Sequence, residues 1–367
     1  MKIFMYSDLH ISKTSSILPL SSKSPKYTYR QQMIIEIGDY LANIIDKEKP
    51  DLIVNLGDTF DQHTVSSYDI DVASEFFKKF KYINVPHLVL VGNHEMINSD
   101  FNAIELLGNI NNITVISEPT TINTSLLLDN MQSNEPNIEL AFFPYCNYAN
   151  IIEFPKGKYL FSHLDIQGAV VRGDIVLNEG VDMKLLGSQY DLVFNGHIHK
   201  PSVCKNIINV GSITTHSFSD DENSVPQCYI FDTNTLDLVT YKPTMCPLFR
   251  KVNVLNSINE LDQYFQLLDT SYKYVLQANC SFDLKDDVKT KLQNNANVVA
   301  SRLNVKVQNN SNNVKNTTID TSALPNVDVK QSFKEFLNTV ELKYPITMYE
   351  QILEEVKYNV WKINKYK

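Results

Sequence analysis

Four short apolar runs in this chain end in the same way, and that repetition constrains the fold more than any other feature. Val89-Leu90-Val91 breaks at Gly92 and continues into Asn93, His94 and Glu95. Residues 2–6 run into Ser7-Asp8-Leu9-His10, residues 52–56 into Gly57-Asp58-Thr59-Phe60-Asp61, and residues 192–194 into Asn195-Gly196-His197-Ile198-His199. Between the first three runs lie stretches with apolar residues at helical spacing. These are Met33, Ile34, Ile37, Leu41, Ile44 and Ile45 within 30–47, and Ile70, Ala73, Phe76, Phe77 and Phe80 within 67–81. Pro50 and Pro86 stop those helices before the next strands. Strand, helix, strand, helix, strand predicts a right-handed parallel α/β unit. Such sheets collect their ligands outside the carboxyl ends of the strands, where these Asp, Asn and His residues fall.

Residues 101–107 read as helix. Further strands are expected at 114–117, 125–128, 139–143, 159–161, 191–194, 207–210, 229–232 and 238–241. They predict a second sheet packed on the first, hence a two-sheet α/β sandwich. Past Pro247 the pattern restarts as strand 251–255, helix 258–268, strand 274–278, helix 284–292 and strand 300–307, a small α+β module. Residues 309–327 are rich in Asn, Ser and Thr and read as a linker. The last stretch, 328–367, regains helical stripes: Val329, Phe333, Phe336, Leu337 and Val340, then Ile352, Leu353, Val356 and Val360 after the break at Tyr344-Pro345. The plan is a core over 1–246, a module over 247–308, the linker, and a helical tail. The tail helices either fold back on their own chain or bind a partner groove.

The 367 residues exceed one average domain, and 43% apolar with 20% charged residues is ordinary for a globular protein with a sizeable core. The net charge of -9 argues against sequence-independent nucleic-acid binding by the whole surface but leaves DNA or RNA open as a substrate. Five scattered cysteines with no Cys-x-x-Cys pair predict a reducing compartment. No apolar stretch nears the ~20 residues that cross a bilayer, so a cytoplasmic chain without membrane contact is expected.

Asp8 and His10 straddle one residue, as do His197 and His199. His163 follows a strand, and Asp58 directly follows Gly57, where a ligand can approach closely. Each alone is more often structural than a ligand, but four such motifs in order predict one metal-rich site. Imidazole, carboxylate and amide donors without thiolate suit Mn, Fe or Zn. Seven candidate ligands are too many for one ion and fit two. A metal pair roughly 3.5–4 Å apart with a bridging carboxylate activates water and clamps a phosphoryl group. Asp58 is the expected bridge. Asp61 is expected to orient a ligand rather than ligate, His63 to lie at the rim as a candidate DNA contact or, equally, to be a plain surface histidine, and His87 and His216 to be structural. Lys13, Lys23 and Lys26 in the polar loop 12–29, with Arg30 after it, are candidate phosphate contacts, against the plainer reading of a solvated loop.

Taken together, Asp8-Leu9-His10, Gly57-Asp58-Thr59-Phe60-Asp61, Gly92-Asn93-His94-Glu95, His163 and Gly196-His197-Ile198-His199 resemble the signature of calcineurin-like metallophosphoesterases over residues 1–245. Within that superfamily the chain is similar to SbcD-type nuclease subunits of DNA double-strand-break repair complexes. That narrower likeness rests on the second motif, on Gly211-Ser212 with Ser217-Phe218-Ser219-Asp220, on Tyr229-Ile230-Phe231-Asp232, and on the module and tail. Gln62 stands where protein phosphatases carry arginine. The resemblance implies metal one on Asp8, His10, Asp58 and His199, and metal two on Asp58, Asn93, His163 and His197. It implies manganese in both sites, and a catalytic His94 that faces the scissile phosphate without ligating. It implies 3'–5' exonuclease action on duplex DNA ends and endonuclease action on single strands. The module would cap the site and contact DNA, and residues 328–367 would bind an SbcC-type coiled-coil ATPase, within a heterotetramer built on a homodimer. A small-molecule or cyclic-nucleotide phosphodiesterase would not need residues 247–367. A non-catalytic scaffold recruiting the ATPase would be expected to have lost ligands. Abundant Asn, Ile, Lys and Tyr fit an AT-rich genome such as a phage's, which would place the chain in the host cytoplasm.

Overall fold

The computed structural model describes residues 1–12, 18, 24–96, 102–109, 113–127, 137–145, 153–172, 175–218 and 224–306. The expected linker and tail, with Lys13, Lys23 and Cys146, lie outside them. Strand β1 (Lys2–Tyr6) is almost wholly buried and pairs in parallel with β2 (Leu52–Asn55). Between them runs helix α1 (Tyr29–Glu48), opened by a Thr28/Gln31 capping box and closed at Lys49 in the left-handed region, φ 48°. Helix α2 (Ser67–Lys78) starts on a second capping box, Ser66/Asp69, and leads to β3 (His87–Leu90). Each box satisfies two otherwise unpaired amides at the helix start.

After a 3-10 helix over Ala103–Asn109 come β4 (Ile113–Ile116) and β5 (Thr120–Asn123). The expected strand at 125–128 does not form; Thr124–Leu127 is a helical turn, α3. Asn123 Oδ1 accepts from the Ser125 amide at 2.9 Å and from its hydroxyl at 2.7 Å, which caps a turn and ends the strand before it. Then follow β6 (Glu139–Phe143) and β7 (Tyr159–Ser162). A run of very short strands comes next: β8 (Ile166–Gln167), β9 (Val170–Arg172), β10 (Ile175–Val176) and β11 (Val181–Asp182). Helix α4 (Met183–Gln189) leads to β12 (Leu192–Asn195), β13 (Ser202–Cys204), β14 (Ile207–Asn209), β15 (Cys228–Asp232) and β16 (Leu238–Tyr241).

These strands make two six-stranded sheets, ordered β16-β15-β1-β2-β3-β4 and β13-β14-β12-β7-β6-β5. Each has four parallel strands: β1 to β4 in the first, running to one edge with β15 antiparallel beside β1, and β14, β12, β7 and β6 in the middle of the second, between antiparallel β13 and β5. Ile3, Met5, Val54 and Leu90 from one sheet meet Leu140, Phe142, Phe161 and Phe194 from the other in the central core. The outer face of the first sheet packs on α1 and α2 through Phe4, Ile53, Ile37 and Phe76; the outer face of the second packs on Leu186 of α4. The result is the expected α/β sandwich. Because both sheets hold four parallel strands, their carboxyl-terminal ends carry loops from β1, β2, β3, β7 and β12 to one place.

The third sheet is β17 (Leu248–Val254), β18 (Tyr274–Ser281) and β19 (Val298–Lys306), all parallel. Helices α5 (Asn259–Leu267) and α6 (Lys285–Asn294) cover one face, burying Leu261, Val288 and Leu292 against Val252, Leu276 and Ala278. On the other face Phe249 and Val275 pack with Leu18, Tyr29 and Phe218. Residues Met1–Gln308 form one compact unit.

Candidate metal centre

The loops after β1 and β2 are held together by backbone bonds. Asp8 donates to the Gly57 carbonyl at 3.0 Å, His10 to Asp58 at 3.0 Å, and Ile11 to Thr59 at 2.8 Å. This pairing holds Asp8, His10 and Asp58 at φ 56°, 46° and 51°; His197 lies at 65°. Non-glycine residues seldom occupy that region, and such outliers gather at functional sites. Close approach is also enforced by Gly92, where a Cβ would lie 2.1 Å from Asp58 Oδ1, and by Gly57, where it would lie 2.4 Å from His163 Nδ1.

Two sets of donor atoms result, with Asp58 in both. In the first, His10 Nε2 lies 3.1 Å from His199 Nε2, 3.7 Å from Asp8 Oδ1 and 3.6 Å from Asp58 Oδ2, and His199 Nε2 lies 3.6 Å from Asp8 Oδ1. In the second, His163 Nε2 is 3.3 Å from Asp58 Oδ2 and 3.1 Å from Asn93 Oδ1, and His197 Nδ1 is 2.9 Å from the same amide oxygen.

The other ring nitrogens fix which atoms carry protons. His163 Nδ1 donates to the Leu56 carbonyl at 2.7 Å, so in the neutral ring its Nε2 presents a lone pair to two oxygens. His197 Nε2 meets Asp165 Oδ1 at 2.8 Å, so its Nδ1 presents a lone pair to Asn93 Oδ1. Lone pairs facing lone pairs at hydrogen-bond distance require a cation or extra protons between them. Both Asp8 carboxylate oxygens are fully buried and accept no hydrogen bond, a costly state without a cation. The donor set therefore fits divalent ions.

The metal-free charges agree. Burial would raise the Asp8 and Asp58 pKa values, but the histidines around them hold both below the ordinary carboxylate range. In return, against the opposing effect of burial, Asp61, Asp8 and Asp58 push His10 up to about 10, and Asp58 above all pushes His163 up to about 9. Asp61 Oδ1 lies 3.3 Å from His10 Nδ1, behind the ring.

His94 stands at the edge of the cluster. Its amide donates to Asp58 Oδ1 at 3.0 Å, its Nδ1 to the Asp61 carbonyl at 2.7 Å, and its ring meets His10 edge-on. Ligand atoms of His10, Asp58 and His94 come within 4.8 Å of one another, as do those of His10, His199 and His216. His216 is a poor donor to any ion, because Arg30 occupies its Nδ1 at 2.9 Å and the hydroxyls of Ser212 and Thr214 lie at 3.1 Å from its Nε2. His87 lies in the core against Tyr6, Phe77 and Phe80, with its Nε2 on the Tyr6 hydroxyl at 3.0 Å. His63 is exposed, and the Lys26 ammonium is paired with Asp71 at 2.7 Å. Arg30 corrects an expectation: it is 3% exposed and donates to backbone carbonyls inside the protein, so it cannot reach a phosphate.

Two acids carry roles that the sequence reading left unassigned. Asp165 orients His197, and His-x-Asp at 163–165, echoing Asp8-x-His10, was the available signal. Glu95 is buried and accepts from the Phe60 and Gly92 amides at 2.9 and 2.6 Å, tying the second and third motif loops together. Burial and the nearby Asp58 push its pKa up to about 8.

An α/β sandwich whose strand ends gather two imidazole-rich donor sets around one carboxylate offers groups that could hold divalent metal ions. A profile of the family described as calcineurin-like phosphoesterase matches residues 1–201, and the chain belongs to that family. It is 24% identical over 249 residues to the probable exonuclease subunit 1 of Escherichia phage T5, covering 64% of this chain and 67% of that protein. It is 31% identical over 87 residues to the DNA double-strand break repair protein Mre11 of Saccharolobus solfataricus, covering 24% of this chain and 22% of that one. An archaeal phosphodiesterase structure aligns over 66% of this chain and all of its own at 15% identity, TM-score 0.33. No helix among the described residues is long and apolar enough to cross a membrane.

Proposed function

We propose that this chain is a two-metal-dependent DNA nuclease, the nuclease subunit of an SbcC–SbcD-like complex in repair or recombination. The observation that carries the reading is Asp58, shared by two facing donor sets in a chain whose relatives include an exonuclease subunit and a break-repair protein. Asp8, His10, Asp58 and His199 would hold one ion and Asp58, Asn93, His163 and His197 the other, manganese being the metal inferred. Bound there, the pair supplies Lewis acidity for water activation and for charge on the phosphoryl group.

The protein groups do the rest. Asp61 behind His10 and Asp165 behind His197 hold those rings in orientation. His94 spends its Nδ1 proton on the Asp61 carbonyl, which leaves Nε2 for the leaving oxygen of the scissile phosphate. The module over 247–308 would cap the site and contact DNA, and residues 328–367 would bind an SbcC-type ATPase within a heterotetramer containing a homodimer. Such a partner would supply positive surface that a chain of net charge -9 has little of.

Purified protein with Mn2+ is expected to degrade linear duplex DNA from 3' ends and to cut single strands, and to lose both activities in EDTA. Turnover of small phosphodiesters alone would overturn the nuclease reading and favour a small-molecule phosphodiesterase.

A further inference from the structure

Arg30 lies in the first turn of α1, yet its side chain ends beneath the first motif. Nη2 donates to the His10 carbonyl at 2.8 Å and to His216 Nδ1 at 2.9 Å, with the Leu9 carbonyl at 3.5 Å. Nη1 reaches the Thr215 carbonyl at 3.3 Å and Nε the Ser12 hydroxyl at 3.1 Å. A guanidinium presents five N–H groups in one rigid fork, and this fork is used on both sides.

The bond to His216 sets a direction for everything beyond it. With Nδ1 accepting from Arg30, the proton of His216 sits on Nε2 and faces the Ser212 and Thr214 hydroxyls at 3.1 Å each. Those hydroxyls in turn reach the Asp8 carbonyl, Ser212 at 2.8 Å and Thr214 at 3.3 Å, and Thr214 reaches Leu9 at 3.2 Å. The carbonyls of Asp8, Leu9 and His10 are all engaged from this one network. It underlies the segment whose two ligand candidates sit at φ 56° and 46°. Held this way, the His216 ring packs 4.4 Å from that of His10 and 4.9 Å from that of His199, centroid to centroid. Among the described residues, this network reaches the Asp8, Leu9 and His10 carbonyls and the rings of His10 and His199, on the side of the first donor set.

We propose that Arg30 is a positioning residue for the first donor set alone, clamping the strained Asp8–His10 backbone directly and through His216. The inference rests on the reading that Asp8, His10, Asp58 and His199 hold an ion. It concerns residues that supply no ligand atom.

The test is a calorimetric Mn2+ titration of the full-length protein after chelator treatment, with folding followed by circular dichroism. Wild type is expected to bind two ions. Arg30→Met is expected to weaken one of them by about 10–100-fold, the range seen when partners behind a ligand are lost, and to leave the other unchanged. Arg30→Lys would not restore it, because an ammonium cannot serve the fork. Millimolar guanidinium added to Arg30→Ala is expected to restore it. If Arg30→Met does not fold, His216→Phe keeps the ring but removes the acceptor and is expected to weaken the same ion. Unchanged affinities, or equal loss of both ions, would overturn the proposal while leaving the two-ion reading intact. Fewer than two ions on wild type would overturn that reading and this one with it.

Discussion

The two halves of the candidate metal centre share Asp58 but are built differently. The first half has two carboxylates, Asp8 and Asp58, and its His10 is enclosed, backed by Asp61 and His216. The second has Asp58 and the neutral amide of Asn93, its buried His163 backed by the Leu56 carbonyl and its partly buried His197 by Asp165. One half is thus richer in charge, with both Asp8 and His10 in the left-handed backbone region; the other has one charge fewer and, besides the shared Asp58, only His197 there. Charge sets affinity more strongly than orientation does, so the first half is expected to fill first and the second to exchange more readily.

Asp58→Ala should have the largest effect, because it removes the carboxylate that both halves share. Both ions should be lost in an elemental assay and turnover should fall to background; retention of either ion would break the sharing on which the comparison stands. Next is His94→Ala, which should keep both ions yet lose about 10²–10⁴-fold in turnover, the usual worth of a positioned acid. Loss of an ion instead would add His94 to the first half as a ligand. Asp165→Asn should weaken the second ion by about 10–100-fold and spare the first. An equal loss of both would merge the halves.

The pH dependence sharpens the contrast with protons in place of ions. In metal-free protein His10 and His163 sit near 10 and 9, above the unfolded value of 6.5. Their contribution to stability is then complete below about pH 6.5 and lost as pH rises through 9 to 10. Chelator-treated protein should therefore melt at lower temperature at pH 10 than at pH 7. Ion binding displaces these protons, so Mn2+ affinity should rise with pH up to that window and titrations should show buffer-dependent proton release. A flat melting profile would mean that the two rings are not protonated when metal-free.

The parallel strands and their polar ends were legible because each is a local pattern: an apolar run, a glycine, a donor residue. The same locality explains what was missed. Strands β8 to β11 span two or three residues each, too short for any periodicity. At Ser125 a side-chain cap from Asn123 overrode a strand-like stretch. Arg30 looked like a loop cation available to phosphate, since the carbonyls that enclose it come from residues 9, 10 and 215. His216 is distant in sequence from His10, whose ring it packs on, and Asp165 was signalled only by the His-x-Asp spacing at 163–165.

The claim that carries all of this is that two ions share Asp58. Anomalous diffraction from crystals grown in Mn2+ tests it most directly. Two peaks roughly 3.5–4 Å apart on either side of the Asp58 carboxylate are predicted, one beside Asp8, His10 and His199 and one beside Asn93, His163 and His197. A single peak, or one that leaves Asp58 out, would contradict it.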